Sequence, residues 1–70
     1  MRKNSLQKLG QRIKRLRNSK DLKQVELAVA IGISVSYLSA IERGARSPSL
    51  KVLKRLSRTL GVKTSDLIPF

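Results

Sequence analysis

Apolar residues recur along this chain at the spacing of an α-helix with one buried face, and no segment shows the two-residue alternation of a strand. The first stripe predicts a helix over residues 5–18, which Asn4 or Ser5 can cap. Arg17 lies beside this stripe at about 100° per residue, so we expect its guanidinium to be partly buried and to need a carboxylate partner. The stripe consists of Leu6, Leu9, Ile13 and Leu16.

Residues 24–43 predict two short helices joined by a tight turn, and they are the most informative stretch of the chain. The helices are expected over residues 24–31 and 34–43. Gly32 suits the turn because it adopts positive φ without strain, and Ser34 can cap the second helix. This is the helix-turn-helix pattern, whose second helix enters the DNA major groove in many regulators. Its apolar positions are Leu27, Ala28, Ile31, Leu38 and Ile41.

Two further helices are predicted toward the C-terminus. Ser49 can cap one that stops at Gly61, and a short last helix over residues 64–68 is ended by Pro69. The inward positions expected for the longer of the two are Leu50, Leu53, Leu56 and Leu60. The pattern as a whole predicts an all-α fold: a compact bundle of five short helices that contains the helix-turn-helix, in a single domain over residues 1–70.

The composition leaves almost no groups for catalysis. The chain has no cysteine and no histidine, which excludes thiolate chemistry, disulfides and histidine general-base chemistry. Its four carboxylates include no acidic pair at short spacing, and its four glycines form no phosphate-binding loop. We therefore expect neither an enzyme nor a metal site nor a bound cofactor. The carboxylates are Asp21, Glu26, Glu42 and Asp66.

The net charge of +12 is unevenly distributed along the chain. Residues 1–23 carry +8, residues 24–48 carry two charges of each sign, and residues 49–70 carry +4. Basic flanks around a neutral motif favour a protein whose flanks contact phosphates while the motif enters a groove. The alternative is a solvated basic surface that aids solubility.

The chain lacks the apolar run of a membrane span and the apolar stretch of a signal peptide, so a cytoplasmic, nucleoid-associated protein is expected. The basic face of the first helix also suits a helix lying on an anionic membrane. Against that alternative, Tyr37 and Phe70 are the only aromatic residues, and interfacial anchors are usually aromatic. We expect no membrane partner. The basic face consists of Lys8, Arg12 and Arg15.

The chain resembles the phage-repressor and Cro-like helix-turn-helix family, also called the Xre family, over roughly residues 9–68. The matching motifs are R-I-x-x-L-R at 12–17, Q-x-E-L-A at 24–28, G-I-S-x-x-Y-L-S-x-I-E-x-G-x-R-x-P-S at 32–49 and L-x-x-L-x-x-x-L-G-V at 53–62. The lambda-repressor-like fold of that family agrees with the predicted bundle. The S-x-S-Y-L-S-x-I-E form is most similar to sporulation and biofilm repressors of the SinR type.

The resemblance implies roles for individual residues. Arg17 and Glu42 correspond to a buried ion pair between the first and third helices. Base edges would be met by Val35, Ser36, Ser39 and Ala40. Phosphates would be contacted by Gln24, Ser34, Tyr37, Arg43 and Arg46. Each role has a structural alternative: Gln24 can be a helix cap, Tyr37 a core residue with its hydroxyl at the surface, and Ser39 plain surface.

Three positions depart from the family pattern. Asp21 replaces the usual glycine after the first helix, and aspartate tolerates the left-handed region better than most residues. Lys23 replaces the serine or threonine that usually caps the second helix; we expect weaker capping there and a possible gain of a phosphate contact. Lys63 replaces the cap of the last helix in the same way, which weakens that helix and any dimer contact built on it.

The expected function is sequence-specific binding of double-stranded DNA as a prokaryotic or phage transcription regulator. Of the possible kinds of regulator, a repressor is expected. The expected partner besides DNA is a second copy, because such domains usually bind palindromic operators as homodimers. The apolar residues expected to meet that copy are Leu67, Ile68 and Phe70. The alternatives are an antitoxin, a restriction-system controller, a protein-interaction module, and the DNA-binding part of a longer protein.

Overall fold

The computed structural model describes residues 5–68, which form five α-helices and, within that range, no strand. The predicted all-α bundle is confirmed for this part of the chain, with helix ends within two residues of the predicted ones. The predictions for Asn4, Pro69 and Phe70 concern residues outside the described range. The helices are α1 (Ser5–Ser19), α2 (Gln24–Ile31), α3 (Val35–Glu42), α4 (Leu50–Leu60) and α5 (Thr64–Leu67).

A single hydrophobic core joins all five helices. Helix α3 packs against α1 and α2, and α4 packs against α2, α5 and α1. The fully or almost fully buried apolar residues are Leu9, Ile13, Leu27, Ala28, Ile31, Leu38, Ile41, Val52, Leu56, Leu60 and Leu67.

The predicted inward face of α4 was wrong at its first position. Leu50 is 60% exposed, whereas Val52 is 8% exposed and takes an inward place. A step of three residues along an α-helix falls about 60° short of a full turn. Leu50 is separated from Leu56 by two such steps, through Leu53, so the shortfall accumulates. Leu50 therefore lies to one side of the buried face of α4, whose middle is formed by Leu56 and Leu60.

The prediction that Leu67 is available to a second copy was also wrong. Its side chain is fully buried within the chain's own core, where α5 packs against α4 and α1. Ile68 is half-buried and keeps some accessible surface. Helix α5 is further fixed by Arg12, whose Nη1 donates to the carbonyl oxygen of Asp66 over 3.0 Å.

Helices α2 and α5 both begin after a lysine, whose side chain has no acceptor and cannot cap. In each case the acid three residues later supplies the missing contact. The Glu26 carboxylate accepts from the backbone N–H of Lys23 over 2.7 Å, and the Asp66 carboxylate accepts from that of Lys63 over 3.2 Å. This half of a capping box, with an acid at the positive end of the helix dipole, explains why both helices form without a side-chain cap.

No single helix among residues 5–68 has the length and apolar composition to cross a membrane. Helices α2 and α3 pass that test together, by length and composition only, across the bend of 111° between them.

Candidate nucleic-acid interface

The bend of 111° between α2 and α3 is the geometry of a helix-turn-helix. Gly32 has φ of 74°, and the backbone N–H of Ile33 donates to the Ala28 carbonyl over 3.0 Å, which closes α2 as predicted. Ser34 then opens α3: its hydroxyl accepts from the backbone N–H of Tyr37 over 3.0 Å. The turn thus fixes where α3 begins and leaves its first turn on the surface.

The outward face of α3 contains the residues predicted to meet base edges. Val35 is 39% exposed and Ser36 is exposed, while Ser39 and Ala40 on the same side of the helix are half-buried. The opposite face holds Leu38 and Ile41 in the core. A shallow groove runs beside the outward face, lined by Ser34, Ser36, Tyr37, Ala40 and Arg46.

Tyr37 joins α3 to the loop that follows it. Its hydroxyl donates to the Ser47 carbonyl over 3.2 Å, and the Arg46 guanidinium carbon lies 5.5 Å from its ring centroid. The ring of Tyr37 is half-buried and packs against the core, while part of the side chain stays at the surface. The core role given as the alternative for Tyr37 is therefore compatible with a surface position beside the groove. Arg46 is thereby held next to the groove rather than left free to sample solvent.

Arg17 and Glu42 form a buried ion pair between α1 and α3. The Arg17 Nε donates to Glu42 Oε2 over 2.6 Å and its Nη2 donates to Glu42 Oε1 over 3.0 Å, while Nη1 donates to the Leu22 carbonyl over 2.7 Å. The two residues are only 7% and 6% exposed. The hydrogen bond to Glu42 raises the pKa of Arg17, against the opposing effect of burial.

Gln24 is bound to the same ion pair, which the sequence interpretation did not anticipate. Its Nε2 donates to Glu42 Oε1 over 2.9 Å, and the side chain is half-buried. One amide N–H is therefore committed to Glu42, and the second N–H and the carbonyl oxygen keep their hydrogen-bonding capacity. The spacing of Gln24 and Glu42 in the sequence, eighteen residues, gave no signal for this contact.

Gly10 brings α1 and α3 together, and the sequence interpretation missed this role. A Cβ at residue 10 would lie 2.5 Å from the Glu42 carbonyl oxygen and would also overlap the Ile41 carbonyl. Only glycine permits this approach, and the approach brings Arg17 within reach of Glu42. The available signal was an isolated glycine inside a helical pattern, which marks close backbone contact.

The cations around α3 have no acidic partners within the described residues. Arg17–Glu42 is the one ion pair found there, and the Glu26 and Asp66 carboxylates serve backbone caps. No group of three or more potential metal ligands lies within residues 5–68. The exposed cations predicted to contact phosphates are Lys23, Arg43 and Arg46.

This combination of a partly exposed helix, a tight turn and exposed cations without acidic partners among the described residues is typical of DNA-binding domains. A family model for the helix-turn-helix matches residues 13–67, and the chain belongs to that family. The resemblance to Xre-like regulators is thereby confirmed.

Three of the proteins similar to this chain are named as regulators or controllers. It is 42% identical over 60 residues to an immunity repressor protein of Bacillus phage phi105, and this match covers 86% of the chain and 42% of the phage protein. The restriction-modification controller C.AhdI from Aeromonas hydrophila superposes with a TM-score of 0.86 at 38% identity, covering 90% of this chain and 96% of that one. SinR, a master regulator for biofilm formation solved in complex with DNA, superposes with a TM-score of 0.80 at 42% identity, covering 84% and 95%. The chain thus spans less than half of the phage repressor.

Proposed function

We propose that this chain binds double-stranded DNA in a sequence-specific manner and regulates transcription as a repressor. The observation that carries the proposal is the exposed first turn of α3, at Val35 and Ser36, beside a groove that contains Arg46, a cation with no acidic partner among residues 5–68. The SinR–DNA complex and the phage immunity repressor support it, since both are similar over most of this chain. Such a regulator acts on cellular or phage DNA and has no catalytic task.

In the proposed complex, α3 enters the major groove with its outward face toward the base edges. Of the four residues on this face, Val35 and Ser36 are more exposed than Ser39 and Ala40. Phosphates are held around it by charged and polar groups on three segments of the chain. Gln24 contributes its uncommitted amide N–H, because Glu42 holds the other. The remaining proposed phosphate contacts are Lys23, Ser34, Tyr37, Arg43 and Arg46.

We further propose that the chain binds as a homodimer to a palindromic operator with half-sites about one helical turn apart. Ile68, at the exit of α5, is the accessible apolar residue nearest the C-terminal end of the described range. Its partial exposure supports a contact there, whereas buried Leu67 is excluded from it.

A restriction-system controller is the second candidate function. The specific support is C.AhdI, of which this chain covers 96% at a TM-score of 0.86. Both candidates use the same interface, so they differ in the genes controlled and not in the mode of binding.

The proposal is tested by selecting bound duplexes from a random library and measuring competition between a selected duplex and its shuffled version. A sequence-specific regulator prefers the selected duplex, with about 1–3 kcal/mol lost for each important base pair changed. Equal affinity for both duplexes would contradict specific binding. Mapping the selected sequence in the source genome, beside promoters or beside restriction genes, then separates the two candidates.

A further inference from the structure

Two grooves border α3, and two residues of α1 that line one of them, Gln11 and Lys14, have no role in the operator contact proposed above. The groove already described beside the outward face, here called the loop groove, contains Arg46 and meets α3 at Ala40. The second, here called the α1–α3 groove, lies between α1 and the C-terminal end of α3 and shares no residue with the loop groove. It is lined by Gln7, Gln11, Lys14, Glu42 and Arg43.

The outward face of α3 lies between these two grooves. Ala40 lines the loop groove and Glu42 lines the α1–α3 groove. Because each residue turns the helix by about 100°, these two positions are about 160° apart around the axis by the shorter way. Val35 and Ser39 fall within this shorter arc, whereas the buried Leu38 falls within the longer one. The two grooves therefore border the outward face on opposite sides.

A helix that enters the DNA major groove has a phosphate backbone on each side. The major groove is about 12 Å wide, and an α-helix with its side chains is about 10–12 Å across. Under the proposed function the outward face of α3 points toward the base edges, so its two borders approach the backbones of opposite strands. The loop groove, with Arg46, then meets one strand, and the α1–α3 groove meets the other.

The α1–α3 groove is positively charged even though Glu42 lines it. Both oxygens of the Glu42 carboxylate accept hydrogen bonds from Arg17, and Gln24 donates to one of them. The Glu42 side chain is only 2% exposed, so its charge is paired and withdrawn from the groove. Lys14 and Arg43 are exposed and have no acidic partner among residues 5–68. An anion in this groove therefore meets two cations and no unpaired carboxylate among the lining residues.

The position of Lys14 on α1 directs it to this groove. Lys14 follows Gly10 by four residues, so it lies one turn along the side of α1 that approaches the Glu42 backbone. Gln11 lies between them and is exposed, and its amide can donate a hydrogen bond without adding charge. Lys8 lies about 120° from Lys14 around the helix axis and does not line the groove. The two lysines of α1 are therefore a contrasting pair, one at the groove and one away from it.

We propose that the α1–α3 groove is a phosphate-binding site, in which Lys14 and Gln11 join Arg43 in holding the DNA strand on the opposite side of α3 from Arg46. This inference rests on the proposed function, because it needs α3 in the major groove. It adds α1 to the operator contact, which the proposed function confines to residues 23–46. The two strands are then held by different segments of the chain.

The test compares Lys14→Gln with the matched control Lys8→Gln, since each removes one exposed lysine charge from α1. Affinity for a library-selected duplex is titrated at a series of salt concentrations, and Lys14→Arg is titrated as the variant that keeps the charge. A second measurement uses duplexes in which one backbone phosphate at a time is replaced by an uncharged methylphosphonate. Arg46→Gln is measured on the same duplexes to identify the strand that meets the loop groove.

We expect Lys14→Gln to bind the duplex more weakly, with the slope of log K against log salt shallower by about 0.9, which corresponds to one phosphate contact. Lys8→Gln and Lys14→Arg should both keep the slope of the unmodified protein. Replacing the phosphate that Lys14 contacts should weaken binding of the unmodified protein much more than binding of Lys14→Gln. Within one half-site, that phosphate should lie on the strand opposite to the one identified with Arg46→Gln.

Equal salt slopes for Lys14→Gln and Lys8→Gln would overturn the site, and so would a Lys14 phosphate on the same strand as the Arg46 phosphate. Unfolding midpoints of both lysine variants are measured alongside, so that a loss of folding is not counted as a lost contact. Either result leaves the proposed function standing when the unmodified protein prefers the selected duplex to its shuffled version. Absence of that preference would reject the proposed function together with the site.

Discussion

At the scale of single residues, the most constrained group is the network of Arg17, Glu42 and Gln24. It joins α1, α2 and α3 at one point through three side-chain hydrogen bonds. All buried side-chain polar atoms of the described residues have a partner. The network therefore fixes the position of α3 while leaving no buried side-chain polar atom of the described residues unsatisfied.

Removing one member of the ion pair should destabilise the fold. Arg17→Ala or Glu42→Ala leaves the other charge buried, so we expect the free energy of unfolding to fall by about 3–5 kcal/mol. Urea denaturation measures the loss, with exposed Lys14→Ala as the control, expected to change stability by less than about 0.5 kcal/mol. A change below about 0.5 kcal/mol in both pair variants would show that the pair behaves like a surface salt bridge.

The stability contributed by Arg17 should not depend on pH around neutrality. The hydrogen bond to Glu42 raises the pKa of Arg17 in the folded protein above its already high ordinary value. The stability that Arg17 contributes is therefore fully present below the pKa that Arg17 has in the unfolded chain, and it is lost only when the pH rises through the pKa that Arg17 has in the folded protein. Unfolding midpoints of the unmodified protein and of Arg17→Lys should therefore keep a constant difference between about pH 6 and 9. A difference that varied across that range would assign the titration to another group.

Residues on the outward face of α3 should set specificity, whereas Arg43, at the C-terminal end of α3, should set affinity. Ser36→Ala should relax preference at one base position, because serine reaches base edges but cannot make a bidentate contact. Arg43→Ala should weaken binding to all sequences alike, as the loss of a phosphate contact does. Library selection with each variant measures both effects. The reverse outcome would mean that the wrong residue has been assigned to the groove.

At the scale of elements, α2 shows how a poor cap is tolerated. Lys23 offers no acceptor, and the Glu26 carboxylate supplies half of the missing capping. Lys23→Thr should therefore raise the free energy of unfolding by about 0.5–1 kcal/mol. If Lys23 contacts a phosphate, the same change should reduce DNA affinity. Thermal denaturation and duplex titration of one variant measure both, and unchanged affinity would remove Lys23 from the phosphate contacts.

The elements could be predicted from the sequence because each carries its own local signals. Apolar spacing, Gly32 and Ser34 were enough to place α2, the turn and α3. The contacts between elements were harder: Gln24 bound to Glu42, Gly10 against the Glu42 backbone, and the burial of Leu67 all depend on how distant segments meet. A periodic pattern gives the face of a helix and does not give the neighbour that covers it.

At the scale of the whole molecule, charge is arranged around a rigid core. The helices bury most of the apolar side chains that the pattern assigned to the core, and three of the four carboxylates are used in one ion pair and two helix caps. Within residues 5–68 every lysine and arginine except Arg17 is exposed, and none of these exposed cations forms an ion pair with a carboxylate. A domain with this surface is suited to a polyanion, and the helix-turn-helix gives it a means of reading sequence.

The central claim is that α3 enters a DNA groove while surrounding cations neutralise phosphates. Titration of a library-selected duplex at a series of salt concentrations tests this most directly. If about 5 phosphates are neutralised, log K should fall with log salt at a slope of about −4 to −5. A salt-independent affinity, or no binding at low salt, would contradict the claim.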